Sequence, residues 1–297
     1  MEVCGKQIHV QGRIVRIAFL DGEGYQFLDD PVAAADILRE NKERIDLFTF
    51  IPRLSESSPK FSYPVETDNM AVLRVSTLED WMGRQINGKS RNKVRKASKS
   101  GVITREIPLN DELIRGISVI YNETPVRQGR QFPHYRIDLE TLRKMKSTFH
   151  ERSIFIGAFH EEKLIGFAKL VYDENCSQAG LMHILSMVGE RDKAPTNALI
   201  GQAVRSCADR RITYLWYAKF AYEGKRPDSL AEFKRHNGFE KVEFPRFYVP
   251  LTIAGGLAVR LGLHRSTAAW IPEPISATFR KIRSSWYARR QHGIESA

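Results

Sequence analysis

A chain of 297 residues with 42% hydrophobic residues can bury one large core or two smaller ones, as an ordinary globular protein does. Its formal net charge of +11 favours anionic partners, among them nucleotide phosphates, tRNA, anionic lipid or an acidic glycan, and says nothing of the fold. Cys4, Cys176 and Cys207 form no CxxC or Cys/His spacing and the first residues lack an apolar signal core. Zinc, a disulfide framework and a leader are therefore not expected, no run is apolar enough to span a membrane, and a reducing cytoplasm fits best.

Residues 7–20 alternate apolar and polar and read as strands, with DGEGY as the turn that follows. Asp30-Pro31 opens a helix to about Lys42, with Asp30 as N-cap and Pro31 at the first helical position. Residues 45–51 (IDLFTFI) read as a buried strand, 53–69 as a Ser- and Pro-rich loop, and 70–75 as another strand. Ser76 or Thr77 caps a helix to about Gln85. Next comes KSRNKVRKASKSG, a basic helix without an acid that ends at Gly101. Residues 102–107 read as a strand, 111 to about 123 as a helix, 124–135 (TPVRQGRQFPHY) as a loop, and 138 to about 149 as a helix. Three strands follow at 154–159, 163–172 and 179–188, the first two joined at Glu161-Glu162. Pro195 and Thr196 open a helix to Asp209, 213–218 is a strand, Ser229 caps a helix to His236, and 241–251 is a closing strand. From residue 102 the order is β-α-α-β-β-β-α-β-α-β, which predicts an α+β fold with a mixed sheet flanked by helices, not a doubly wound one.

Three passages carry a family likeness: 72–101 with its basic helix, the hairpin IGAFHEEKLIGFAKLVY, and ALIGQAVRSCADRRITYLWYAK followed by SLAEFKRHNGFEKVEFPRFYVPL. With this element order the chain resembles the GNAT acyltransferase superfamily, and within it the FemABX branch and its polysaccharide-cluster relatives. The resemblance implies a transferase domain over 76–251, a degenerate GNAT-like half over 1–75, and a basic helical extension over 252–297. It implies an enzyme that moves an acyl group from acyl-CoA, or an aminoacyl group from aminoacyl-tRNA, to an amine, with no metal. The leading expectation is an N-acyltransferase with acyl-CoA as co-substrate and an amino sugar of surface-polysaccharide assembly as acceptor. The alternatives are tRNA-dependent aminoacyl transfer to a peptidoglycan precursor and, outside enzymes, a nucleic-acid-binding protein that uses the basic helix.

The donor's pyrophosphate calls for free backbone N–H groups at a helix N-terminus, and the resemblance locates them where RDKAPTNAL begins. Arg191, Lys193, Thr196 and Asn197 are the cofactor-binding candidates there. Ala194 stands where the family carries its first glycine and Pro195 removes a donor, a departure from the family's loop. Amine attack needs proximity, a proton acceptor and oxyanion stabilisation. Glu123, His183 and Tyr217 are the catalytic candidates, although His183 among apolar neighbours and Tyr217 at a strand end equally suit a core. Arg127, Arg130, His134 and Tyr135 in the polar loop, with Lys219 and Lys234, are the substrate-binding candidates; a solvated connector and a helix C-terminal charge are the plain alternatives. In the tail, Ile275, Phe279, Ile282 and Trp286 share one face of a basic amphipathic helix suited to an anionic membrane, to the chain's own domain or to a second subunit in a homodimer.

Overall fold

A computed structural model describes residues 1–56, 61–127, 129–220 and 229–265. In chain order its elements are β1 (Glu2–Val3), β2 (Lys6–Gln11), β3 (Ile17–Leu20), α1 (Pro31–Arg39), β4 (Leu47–Phe50), β5 (Val65–Arg74), α2 (Leu78–Asp80) and α3 (Gly88–Lys99). There follow β6 (Ile103–Ile107), α4 (Asp111–Asn122), β7 (Val126–Arg127), β8 (Arg130–Gln131), α5 (Leu139–Lys146), β9 (Ser153–His160), β10 (Lys163–Tyr172) and β11 (Gln178–Ser186). The chain continues with α6 (Pro195–Asp209), β12 (Tyr214–Trp216), α7 (Ser229–His236), β13 (Glu240–Pro250) and α8 (Ile253–Arg260).

Among the described residues eleven strands form one mixed sheet in the order β1-β2-β3-β4-β13-β5-β12-β11-β10-β9-β6. The α+β expectation is met. One order of elements occurs twice: antiparallel strands, a crossover helix, then a strand parallel to the one before the helix. It is β1-β2-β3-α1-β4 near the N-terminus and β9-β10-β11-α6-β12 further on. β13 and β5 lie side by side at the centre, β13 against β4 and β5 against β12.

Burial follows from the apolar runs. Ile117, Ile156, Phe167, Leu170, Leu199 and Val204 belong to the larger core, and Ile8, Leu38, Phe48, Phe50 and Val249 to the smaller one. Each such side chain contributes about 1.5–3 kcal/mol on leaving water. The caps read from sequence are present: Asp30 accepts from the Val32 and Ala33 amides, Thr77 from Asp80, and Asp138 from Thr141.

Three expectations need correction. Residues 65–69 belong to β5 rather than to a loop, because β13 pairs with them from Phe247↔Val65 to Glu243↔Asn69. Their local pattern is polar, so the partner strand supplies the order. The helix expected to Gln85 becomes a π-turn over Trp81–Gln85, where the Ile86 amide donates to the Trp81 carbonyl. Trp81 holds this turn: it is 1% exposed, and its indole N–H donates to the Asn237 carbonyl at 3.0 Å. The strand expected over 213–218 stops at Trp216. The amphipathic helix expected around 275–286 lies outside the described residues. Among the described ones, no helix is long and apolar enough to cross a membrane.

Candidate functional site

β11 has nine residues, but its parallel register with β12 covers only Gln178↔Tyr214, Ala179↔Leu215 and Gly180↔Trp216. Past that point the two strands part. The chain after Trp216 stays with β5: the Tyr217 amide donates to the Ala71 carbonyl at 2.8 Å, and the Ala71 amide to the Ala218 carbonyl at 2.9 Å. Lys234 of the FKRHNGF turn pins this segment. It is 1% exposed, its Nζ donates to the Lys219 carbonyl at 2.6 Å, and it stands 4.6 Å from the Tyr217 ring centroid. On the other side a bulge at Lys169/Leu170 shifts the β10–β11 register. β11 is buried from Gln178 to Leu181 and only half-buried from Met182 to Ser186, as a strand facing a slot would be.

Many of the amides in the turn from β11 into α6 already have partners within the chain. Glu123 accepts from the Val188 amide at 2.6 Å and the Gly189 amide at 2.8 Å, and the Arg127 guanidinium donates to it at 3.1 Å. The amides of Arg191, Lys193 and Ala194 donate to carbonyls of the same turn, and those of Asn197 and Ala198 to the Ala194 carbonyl. Ala194 takes the left-handed conformation (φ 54°) and caps α6 with no side chain. Lys193 Nζ is engaged with Glu190 at 2.7 Å and Asp192 at 3.8 Å. Thr196 shares a hydrogen bond with Ser186 at 2.8 Å. Asn197 points inward and donates to Asn237 Oδ1 at 3.0 Å, in a buried network that includes the Trp81 indole. Of the four cofactor-binding candidates, Arg191 is the exposed one.

The face of the sheet opposite α6 carries the polar groups. Lys169 and His183 are register partners on β10 and β11. Lys169 and Lys146 of α5 are both fully buried. Lys146 Nζ bonds the Tyr121 hydroxyl at 2.8 Å, and Tyr121 stacks on His134 with centroids 5.3 Å apart at 20°. Burial, with Lys146, Lys169 and His134 as neighbours, holds His183 down to about 3, so its imidazole is neutral. Arg127, buried beneath Phe132, joins the polar loop to the slot by donating to the Ser186 carbonyl at 2.9 Å and the Ile120 carbonyl at 2.6 Å.

The structure of FemX superposes on this chain with a TM-score of 0.61 at 11% identity, covering 86% of each. The fold is GNAT-like, of the FemX kind. The C-terminal domain described for a lysylphosphatidylglycerol synthetase of Agrobacterium fabrum gives 0.55 at 12% identity, over 85% of this chain and 82% of that one. L-PGS from Bacillus licheniformis gives 0.54 at 13%, over 86% and 85%. No protein-family model and no curated protein matches the chain.

On this GNAT-like frame the expected residues divide into groups. Glu123 and Arg127 brace the turn into α6. His183 lies on β11 beyond its pairing with β12, and Tyr217 and Lys219 follow β12, where Lys234 holds the Lys219 carbonyl. Lys219 is exposed and pairs with Asp68 at 2.8 Å. His134 joins the buried amines. Tyr135 lies beneath the Arg136 guanidinium, 5.3 Å away, and Arg130 is exposed at the tip of the β7–β8 hairpin. Sequence reasoning missed Tyr121, Lys146 and Lys169. The signals were a lysine inside the apolar run GFAKLVY and a lysine four residues after buried Leu142, on the same helix face. Among the described residues, no group of His, Cys, Asp and Glu is placed to hold a metal.

Proposed function

We propose that this chain is a GNAT-fold aminoacyltransferase that takes an aminoacyl ester from the 3′ end of tRNA and passes it to an amine on a cell-surface precursor. The observation that carries this reading is the fork at Gly180/Trp216, which leaves room for an activated carbonyl beside a neutral His183. Two features favour a tRNA donor over acyl-CoA. Most of the amides that would cradle a pyrophosphate are taken, two of them by the chain's own Glu123 carboxylate. The second is α3, which packs along α6 and touches the 191–193 turn, with Lys89, Lys93, Arg95, Lys96 and Lys99 exposed and in no ion pair among the described residues. Such a face suits a phosphate backbone, bound largely through release of counterions. The similarity to FemX and to L-PGS points the same way.

The chemistry needs little beyond positioning. The ester is already activated, so holding nitrogen and carbonyl together supplies much of the rate. A second reading keeps acyl-CoA as donor and an amino sugar as acceptor. It rests on the unpaired edge of β11, against which a pantetheine arm could lie.

Titration calorimetry separates the two. Acetyl-CoA and longer acyl-CoAs are expected to give no heat, whereas aminoacyl-tRNA binds with an affinity that falls steeply with salt. Saturable acyl-CoA binding with a flat salt response would overturn the tRNA reading.

A further inference from the structure

The two buried lysines are not equivalent. Lys169 Nζ donates to the carbonyls of Lys146 (2.8 Å) and Thr148 and to the Thr148 hydroxyl (3.1 Å), so all three N–H bonds of an ammonium have acceptors. Among the described residues Lys146 Nζ has one oxygen partner, the Tyr121 hydroxyl, and otherwise lies 5.2 and 5.3 Å from the ring centroids of Tyr121 and Phe167. Neither amine meets a carboxylate among the described residues. An ammonium at Lys146 would lack acceptors in a dry site, whereas a neutral amine that accepts the Tyr121 O–H is satisfied. The charged and titratable groups facing it agree. Lys169 comes from β10, His183 from β11, His134 from the polar loop and the Tyr121 hydroxyl from α4; none is a carboxylate, and Glu123 is held by Arg127. Burial, with Lys169 adding to it, brings Lys146 down to about 7, near the value that suits proton transfer at neutral pH. His183, at about 3, is too weak a base for that task. The cluster lies beside the part of β11 that runs past β12, because Lys146, Lys169 and His134 are the titratable neighbours of His183 there.

We propose, resting on the transferase reading above, that the Lys146 amine stores the proton given up by the acceptor nitrogen and receives it through the Tyr121 hydroxyl. As nitrogen bonds to the carbonyl carbon, Tyr121 passes its hydroxyl proton to Lys146 and takes the one released at nitrogen. The ester C–O bond then breaks with its electron pair on the ribose oxygen. The Lys146 ammonium returns its proton along the same path to that oxygen. The cycle leaves amide, free 3′-hydroxyl and neutral lysine, with no net proton gained or lost.

The test uses the full chain with lysines 13C-labelled at Cε, pooled aminoacyl-tRNA as donor and glycinamide as a small-amine acceptor. Wild type, Lys146→Met and Tyr121→Phe are compared. In wild type, Lys146 titrates near pH 7, and kcat rises with pH through the same region. Lys146→Met loses that limb and about 100-fold in kcat with KM unchanged, the size of a general-base contribution. Tyr121→Phe, which keeps the ring and its packing, loses a similar factor while Lys146 still titrates near 7. Titration of Lys146 at the ordinary lysine value, or a wild-type pH limb retained in Lys146→Met, overturns the proton-store role alone. A Lys146 that titrates near 7 in a protein that moves no aminoacyl group at any pH overturns the transferase reading and this role with it.

Discussion

The molecule builds the same fork twice and opens it once. β3 has four residues, and three of them are in register with β4, so hardly any strand extends past the pairing. β4 is in turn paired with β13 along its whole length, from Phe50↔Phe247 to Leu47↔Pro250. β11 runs six residues beyond its last pair with β12, and Lys234 holds the departing strand toward β5. The crossover helices differ too. The N-terminus of α1 is closed by the Asp30 carboxylate, whereas α6 starts at a left-handed Ala194 with no side-chain cap. Whether a crossover becomes a slot thus depends on the strand length beyond the register and on what holds the far strand. The proposed transfer site lies at the second fork, where β11 outruns its partner.

Disrupting the open fork should have the largest effect. Asn237→Leu removes the partner of Asn197 and a bond to the Phe233 carbonyl, and should cost about 3 kcal/mol in urea unfolding. Transfer activity should fall with it, because α6 and α7 lose their link. Lys146→Met should act in the opposite direction on stability. A lysine brought down to about 7 in the fold must be charged at a cost that is full below pH 7 and vanishes above its unfolded value. The variant should therefore be more stable than wild type by about 3 kcal/mol at pH 6, with the gap closing toward pH 10. Thermal melts across that range check the sign.

Replacing Lys89, Lys93, Lys96 and Lys99 with Ala tests the basic face of α3, which packs on α6 beside the open fork. The slope of log affinity for tRNA against log salt should fall by about 3, with the melting temperature little changed. The smallest effect belongs to the closed fork. Asp30→Ala should cost about 1 kcal/mol of stability and leave transfer unaltered. Loss of transfer in that variant would remove the distinction between the forks.

Much of the frame was legible in the sequence because it rests on local pattern. The apolar runs of β9 to β11, Asp138 as a cap and the turn at Glu161-Glu162 depend on near neighbours, and both glutamates take the positive φ such a turn requires (48° and 61°). The site was less legible because its decisive contacts join distant residues. Glu123 looks like a base in YNETPVRQGRQ, yet the amides it accepts from lie 65 and 66 positions away. Lys146 and Lys169 look like surface lysines until α5 is laid on β10. Residues 65–69 carry no strand pattern of their own and are ordered by β13.

Hydrogen–deuterium exchange, with and without a tRNA whose 3′ end carries an amide-linked aminoacyl group, compares the two forks directly. Protection is expected at Met182–Ser186, at Tyr217–Lys219 and along α3, with none at Ile17–Leu20 or Leu47–Phe50. Protection confined to α3, or appearing at the N-terminal fork instead, would contradict an open fork that serves as the transfer site.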